Sequence, residues 1–430
     1  MIKALFPTLK APPALFCTLL VLSLAIYFVA DMSLIYGKLE FFSLDIGQLS
    51  TSDFIVFYSS ARYLCGGGEV AALYDPATLK AFQVSLGAHQ AGFHTFNYPP
   101  PYASLTAPLC TLPYATALVV WQWTTLAVFA YVLHRAGLTP FEILAVCVAP
   151  ASNDNMAAGQ NGFLTSALLI AGMISLARRP TMAGALFGLL TMKPHLGILV
   201  PIACLAERRW RTIVAATLAT LTLAGASVLF TGIEAWSAYF EFLTWFEAMA
   251  QVQHGAPFLA IATTPYMALQ IADFEMPLGL SIQVAITLCV CGMVYFAYRR
   301  DGDPDLKLAF LLVGTSLATP YGFFYDLPFV AVAVVLVARH GLRDGFLPFE
   351  GLCLLAAFVT PIIARSLNEA GIPIAPAVHL VFFLYIAVRL RRQSGAPAIS
   401  QIVGARKLSP PRPFSKSWRL HTAHAQVFDF

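Results

Sequence analysis

The sequence predicts an all-α fold, a polytopic transmembrane helical bundle of about 10–13 helices, some of them broken or re-entrant. Of the 430 residues, 58% are hydrophobic and only 11% are charged, whereas a soluble domain carries about 25% charged residues. Several apolar runs reach the roughly 20 residues that a spanning helix needs. The alternating segments of about 10 residues that build membrane barrels do not occur in the sequence. We therefore expect an integral membrane protein.

A series of apolar segments provides the candidate membrane helices, and several are short or interrupted by proline and glycine. In chain order they are 12–36, 99–134 (a short piece and then a full span), 139–151, 160–177, 181–206, 209–230, 278–298, 306–319, 326–339, 346–365 and 374–390. The first follows Lys3 and Lys10 and has no small-residue cleavage site after it. It is therefore interpreted as a retained signal anchor.

Positive charge orients the chain, because lysine and arginine are enriched in cytoplasmic loops. With the N-terminus inside, all 26 lysines and arginines fall on the cytoplasmic side except Lys38, Arg62, Lys80, Lys193 and Arg365. The outer segments are then 37–98, 152–159, 231–264, 320–325 and 366–373. Both termini are expected to be cytoplasmic.

The segment 181–206 requires a different path from an ordinary span. Basic pairs at 178–179 and 208–209 flank it, and both should lie inside, so a single crossing cannot join them. Two short helices that rise to a break at Lys193-Pro194 and descend again satisfy both pairs. Broken helices at membrane depth occur where they are buried in protein or line a polar cavity.

One transmembrane domain is predicted over 1–392, and its long outer loop, 37–98, contains an amphipathic helix at 53–64. Residues 393–430 are rich in proline, serine and basic side chains, which is typical of a disordered cytoplasmic tail. The eight cysteines are spread singly, all but Cys65 in apolar segments, so no disulfide framework is predicted.

Asp53 is the principal candidate for chemistry. It follows Ser50-Thr51-Ser52 and precedes the amphipathic run. An acid in this place often only caps a helix and interacts with its dipole. Alternatively, a carboxylate at the membrane–water boundary can take a proton from a substrate hydroxyl.

Other polar side chains in the outer segments, or at the adjoining ends of the apolar segments, suit sugar recognition. They are Tyr58, Tyr98, Gln160, Asn161, His254, Tyr325 and Asp326. The alternative interpretations are helix caps, a stiff entry to the second span and an interfacial aromatic belt. Lys193 and His195 at the predicted break are candidates to bind an anionic phosphate, although a lysine there can also snorkel to the interface.

No metal site is predicted. His89 and His94 lack a third ligand at suitable spacing, and Asp301-Gly302-Asp303-Pro304-Asp305 is interpreted as a charged cytoplasmic turn. The sequence contains neither a glycine-rich phosphate loop nor a Gly-x-Ser-x-Gly elbow.

The order of motifs along the chain resembles glycosyltransferase family 87, polytopic bacterial enzymes of the GT-C superfamily related to polyprenol-phosphate-mannose-dependent α-mannosyltransferases. The resemblance covers roughly residues 12–390. The motifs are Asp53-Phe54 with Tyr58, Leu73-Tyr74-Asp75, Phe96-Asn97-Tyr98-Pro99-Pro100, Gly159-Gln160-Asn161, and Lys193-Pro194 followed by Arg208-Arg209-Trp210. Some family members carry a histidine shortly after a Ser-Pro in a late outer loop, whereas the corresponding stretch here, Thr319-Pro320 to Asp326, has none.

The resemblance implies a GT-C-like fold and an inverting, metal-independent transfer of a sugar, by default mannose and alternatively arabinose, from a polyprenyl-phosphate donor to a lipid or glycan acceptor. It assigns the general base to Asp53, implies no cofactor, and places the protein in the bacterial cytoplasmic membrane with its site outside. The expected partners are these two substrates and membrane lipids, without nucleic acid. Two alternatives remain open at this point: a lipid-linked-saccharide transporter or flippase, and a non-catalytic scaffold.

Overall fold

The computed structural model describes residues 13–38, 53–88, 94–252 and 257–395. These ranges contain eighteen α-helices and no sheet, only an isolated bridge between Ala262 and Phe323. The predicted all-α fold class is therefore confirmed. The helices outnumber the predicted 10–13 because prolines divide several apolar segments and because the outer segments contain helices of their own.

In the first half of the chain, prolines begin many helices, since a helix leaves its first N–H unpaired and proline has none to lose. The helices are α1 (Pro13–Lys38), α2 (Phe54–Cys65), α3 (Pro76–Ser85), α4 (Pro100–Thr106), α5 (Tyr114–Arg135), α6 (Pro140–Cys147), α7 (Pro150–Ala158), α8 (Gly162–Ser175), α9 (Pro180–Leu190) and α10 (Val200–Ala206). Short 3-10 turns lie at Val70–Tyr74, Ala107–Thr111 and Pro194–Gly197.

The second half of the chain contains longer helices. They are α11 (Trp210–Thr231), α12 (Glu234–Val252), α13 (Pro265–Ile271), α14 (Met276–Arg299), α15 (Pro304–Ala318), α16 (Pro328–Asp344), α17 (Glu350–Glu369) and α18 (Ala375–Gly395). The 3-10 turns Pro257–Ile261 and Phe324–Asp326 precede α13 and α16. The predicted apolar segments agree with these bounds to within a few residues, except that Pro150 divides the predicted segment 139–151 between α6 and α7.

Within the described residues, four helices are long and apolar enough to cross a membrane, namely α5, α11, α14 and α17. The apolar stretch of α11 is only 6% buried by the rest of the protein, and Val214, Leu218 and Leu221 are exposed along it. Apolar side chains exposed over a whole helix are expected against lipid rather than against water.

Segments predicted to lie outside meet at one end of the bundle, which we call the site end. There the Gln160 side chain contacts Asp53 across 107 residues of sequence. Asn155 donates to the carbonyl of Tyr325. Three carbonyls of the 259–262 turn accept from Asn368, and Gly322 accepts from Thr263.

Segments predicted to lie inside meet at the other end, which we call the arginine end. Arg339 binds Glu142 at 2.8 Å and Asp305 at 3.2 Å. Lys307 lies 3.7 Å from Glu207. In the same region Arg389 pairs with the buried Glu350, Arg343 contacts Asp303, and Gln393 accepts from the Asp303 amide. The loops thus separate into the two groups that the charge pattern predicts.

The predicted break at Lys193-Pro194 is present. Helix α9 ends at Leu190, a 3-10 turn covers Pro194–Gly197, and α10 begins at Val200. Helices α8 and α9 form a hairpin, so the start of α8 and the end of α9 lie at the same end. Helix α9 packs closely on α11, because a Cβ at Gly184 or Gly188 would lie 2.5 Å or 2.4 Å from the methyl groups of Ala215 and Ala219.

One expectation is wrong, and two further segments contain helices that the sequence analysis did not place. A disulfide joins Cys65, at the end of α2, to Cys110 in the turn before α5, whereas none was predicted. The reason is that the span begins only at Tyr114, which leaves Cys110 outside it. The predicted outer loop 231–264 contains α12, whose aromatic side chains pack on Tyr74. Helix α18 continues to Gly395, past the predicted start of the tail, and the rest of the tail lies outside the described residues.

Candidate functional site

Asp53 stands immediately before α2 but does not cap it. Its backbone is helical, with φ −59° and ψ −17°, and its side chain accepts no hydrogen bond from the helix N–H groups. The carboxylate instead accepts a 2.9 Å hydrogen bond from Gln160 Nε2 on Oδ2. The side chain keeps 28% of its surface exposed. A partly exposed carboxylate with only one oxygen held by Gln160 can accept a proton from a substrate.

Gln160 and Asn161 connect α7 to α8 and hold the two halves of the site. Helix α7 ends at Ala158 and is followed by Gly159, which adopts the left-handed conformation with φ 63° that glycine tolerates. Gln160 binds Asp53 and accepts at 3.1 Å from the Tyr98 hydroxyl. Asn161 accepts from Lys193 Nζ at 3.1 Å and donates to the Tyr102 hydroxyl at 3.1 Å. Both carboxamides are therefore occupied by protein partners that the sequence places far apart.

Gly162 lets the late outer loop approach this turn. A Cβ at this position would lie 2.0 Å from the carbonyl oxygen of Tyr325 and 2.6 Å from Asn155 Nδ2. In the protein those two groups are joined by a 3.0 Å hydrogen bond. The absence of a side chain at Gly162 therefore sets how closely Tyr325 and Asp326 come to the Gln160-Asn161 pair.

Lys193 and Asp326 form a buried ion pair. The ammonium lies 2.5 Å from Asp326 Oδ1, and the two side chains are 9% and 1% exposed. Asp326 Oδ2 also accepts from the Phe323 amide at 3.3 Å. Both residues were predicted as ligands for substrate, but their pairing was not foreseen. Two opposite charges that each enter an apolar segment are the signal that points to such a pair.

Two tyrosines lie between Asp53 and this ion pair. Lys193 Nζ is 5.9 Å from the ring centroid of Tyr98 and 5.3 Å from that of Tyr325, within the range of cation–π attraction. Burial, together with the nearby carboxylates of Asp53 and Asp326, holds the pKa of both phenols well above the usual value of 10. Both therefore stay protonated near pH 7 and can donate hydrogen bonds.

His94 belongs to the site and was missed as a site residue, having been considered only as a metal ligand. Its Nδ1 lies 3.6 Å from Asp53 Oδ1, the oxygen that Gln160 does not bind. Gln83 Nε2 donates to the His94 carbonyl at 3.1 Å and also contacts Ser59 of α2. These two contacts anchor the segment that contains His94. The sequence signal that could have identified His94 as a site residue was its position two residues before the Phe96 motif.

Of the three other candidates, two are not brought to Asp53, and the third lies outside the described residues. The Tyr58 hydroxyl donates to the carbonyl of Leu112, and its ring packs on Tyr114 with centroids 5.0 Å apart. His195 lies beside Lys193, but its Nε2 is buried without a hydrogen-bond partner among the described residues. His254 lies outside the described residues.

The acidic turn at 301–305 serves the arginine end of the fold. Asp303 caps α15 by accepting from the amides of Asp305 and Leu306, and it contacts Arg343. No cluster of three or more histidine, cysteine or acidic side chains able to hold a metal occurs in the part of the chain that the structure describes.

An apolar groove begins at the break that carries Lys193. It lies between α9, α10 and α11, has a volume of about 480 Å³, and is lined by residues that include Leu190, Pro194, Gly197 and Ala216. A groove of this kind at membrane depth can accept a hydrocarbon chain.

Comparison with known proteins found one match. The sequence model of glycosyltransferase family 87 matches residues 96–320, just over half of the chain. Tyr98, Gln160, Asn161 and Lys193 lie inside the matched range, whereas Asp53 and Asp326 lie outside it. Neither the curated proteins nor the solved structures gave a match.

Proposed function

Since the chain belongs to glycosyltransferase family 87 and is thus a membrane glycosyltransferase, we propose that it moves a sugar from a polyprenyl-phosphate donor to a hydroxyl of a lipid or glycan acceptor. The observation that carries the proposal is the placement of Asp53. Its carboxylate does not cap α2, is oriented by Gln160 and is partly exposed at the site end. Mannose is the default sugar.

The proposed reaction is a single displacement with inversion at the anomeric carbon. The acceptor oxygen forms a bond to that carbon while the bond to the phosphate oxygen breaks. The departing polyprenyl phosphate takes the bonding electron pair, and Asp53 Oδ1 takes the hydroxyl proton. In such a displacement the nucleophile and the leaving group lie on opposite faces of the carbon. Because His94 is next to the base, it is assigned to the side of the nucleophile and not to that of the leaving phosphate.

The donor phosphate is assigned to Lys193. Its ammonium has three N–H groups, and two of them are used by Asn161 and Asp326. We assign the third to a phosphate oxygen and the adjacent groove of α9, α10 and α11 to the first part of the polyprenyl chain. Tyr98 and Tyr325, whose rings lie between Asp53 and Lys193, would then contact the sugar.

The site end is assigned to the extracytoplasmic side of a bacterial cytoplasmic membrane. Two observations support the assignment: the arginines are concentrated at the opposite end, and the Cys65–Cys110 disulfide joins two segments of the site end. Disulfides persist outside the cytoplasm and are rare within it.

The test is transfer of labelled sugar from polyprenyl-phosphate mannose to endogenous acceptor in membranes that contain the full chain. Asp53→Asn should lower kcat by about 10²–10⁴-fold with unchanged protein level, since Asp53 makes no capping hydrogen bond. Asp75→Asn is the matched control, because Asp75 also precedes a helix but caps it. Full activity in Asp53→Asn would refute the assignment of the base. Movement of the lipid-linked sugar across liposomes without a new glycosidic bond would instead favour a transporter.

A further inference from the structure

A second groove lies at the arginine end, away from the candidate site. It has a volume of about 300 Å³ and runs between the C-terminal ends of α14 and α18. Its apolar part is lined by Met293, Phe296, Phe310 and Leu390, and Arg300 and Arg391 stand at its mouth. The groove is thus apolar along its length and cationic at one end.

The arginines at this mouth differ from others at the same end. Arg339, Arg343 and Arg389 each bind a carboxylate. In the described part of the chain, by contrast, neither Arg300 nor Arg391 forms an ion pair, and both are exposed. Among the described residues, no carboxylate therefore pairs with either of these two positive charges.

The neighbouring residues increase the positive charge. Arg299 and Arg392 flank the pair in sequence and are exposed as well. One carboxylate, Asp301, also lines the mouth. Four arginines against one aspartate leave a local excess of positive charge, which favours an anionic ligand over a zwitterionic one.

The groove has an inner wall of buried side chains, Phe310 and Leu390, and opens at Phe296 to the surroundings of the bundle. Phe296 is 63% exposed, and Leu384 and Val388 on the adjacent helix are also exposed. Such side chains belong in the hydrocarbon layer, whereas arginines at helix ends belong at the interface with the head groups. A ligand that matches both parts has a hydrocarbon chain joined to a negatively charged phosphate.

We propose that this groove binds one anionic phospholipid of the cytoplasmic leaflet. Arg300 and Arg391 bind its phosphate, and one acyl chain lies along Phe296 and Leu390. Basic pockets between membrane helices on the cytoplasmic side recognise lipid head groups in this way. The site is independent of the proposed sugar transfer.

The experiment measures lipids retained by the purified full chain, by native mass spectrometry after exchange into nanodiscs of phosphatidylglycerol or phosphatidylcholine. Wild type should retain one phosphatidylglycerol. The double variant Arg300→Gln/Arg391→Gln should retain it at least ten-fold less. Arg178→Gln/Arg179→Gln is the matched control, because it removes two exposed arginines beside α9 that line neither of the two grooves described above.

Two further measurements test whether the ligand is a lipid rather than a free phosphate and whether the groove itself is needed for binding. Glycerol phosphate should not displace the bound lipid, since it lacks an acyl chain. Ala387→Phe narrows the groove without changing its charge and should also reduce retention, with thermal denaturation confirming that the variant is folded. Equal retention of phosphatidylcholine, or an equal loss in the control pair, would overturn the proposal.

Discussion

Lys193 and Asp326 are 133 residues apart in the sequence, yet their side chains form a buried ion pair of 2.5 Å. The pair connects the break between α9 and α10 to the turn before α16. It also fixes Asn161, which accepts from the same ammonium. The site is therefore built around an internal charge pair that neither segment would tolerate alone.

Removing one member of this pair should destabilise the fold. Lys193→Met leaves the Asp326 carboxylate buried without a counter-charge, which costs about 3–5 kcal/mol, and thermal denaturation in detergent measures the loss. Lys193→Met/Asp326→Asn should recover most of the stability but still bind a polyprenyl-phosphate sugar poorly, because the cation is absent. Normal donor binding in the stable double variant would limit Lys193 to a structural role.

His94 should support the base without replacing it. His94→Gln removes the imidazole near Asp53 Oδ1 and should lower kcat by roughly ten-fold, with little change in KM for the donor, because donor contacts are assigned to the Lys193 side. The comparison with Asp53→Asn, which should lose far more, is made in the same transfer assay. A change confined to KM would place His94 with the donor instead.

Gly162→Ala should damage the site through packing alone. The added Cβ would overlap the Tyr325 carbonyl and Asn155, so the late outer loop must move away from Gln160 and Asn161. We expect a loss of about 1–3 kcal/mol and a marked loss of transfer activity. Gly292→Ala within α14 is the control, since its Cβ would meet open space and alanine favours a helix. Equal behaviour of the two variants would contradict this account.

The Cys65–Cys110 disulfide provides a test of sidedness. In intact cells, a membrane-impermeant thiol reagent should label both cysteines only after reduction. Cys65→Ser/Cys110→Ser should cost about 2–4 kcal/mol, because the bond closes a loop across 45 residues. Labelling that requires permeabilised cells would place the site end in the cytoplasm.

Asp154 should make stability depend on pH. Burial, with the nearby charge of Asp31, raises its pKa from 3.8 to about 7, although Arg365 acts against this shift. Between these values the folded state binds the proton more tightly than the unfolded state, so stability falls as pH rises from about 4 to 7 and stays reduced above it. Asp154→Asn should remove this decrease, and its melting temperature should exceed that of wild type by a larger margin at pH 8 than at pH 5. An unchanged slope would exclude Asp154 as its source.

The sequence by itself determined the fold class, the position of almost every long apolar helix, the break at Lys193-Pro194 and the grouping of loops into two ends. These features follow from local composition, because a lipid environment requires long apolar helices and places basic residues at one side. It also singled out Asp53, Gln160, Asn161, Lys193 and Asp326. Only the tertiary structure decided how they are paired. Asp53 is oriented by Gln160 and does not cap a helix, and Lys193 is neutralised by Asp326. The structure also places His94 next to the base Asp53 and joins Cys65 to Cys110. Such contacts join segments that are far apart in the chain, and their energies depend on burial and on distances that no local pattern specifies.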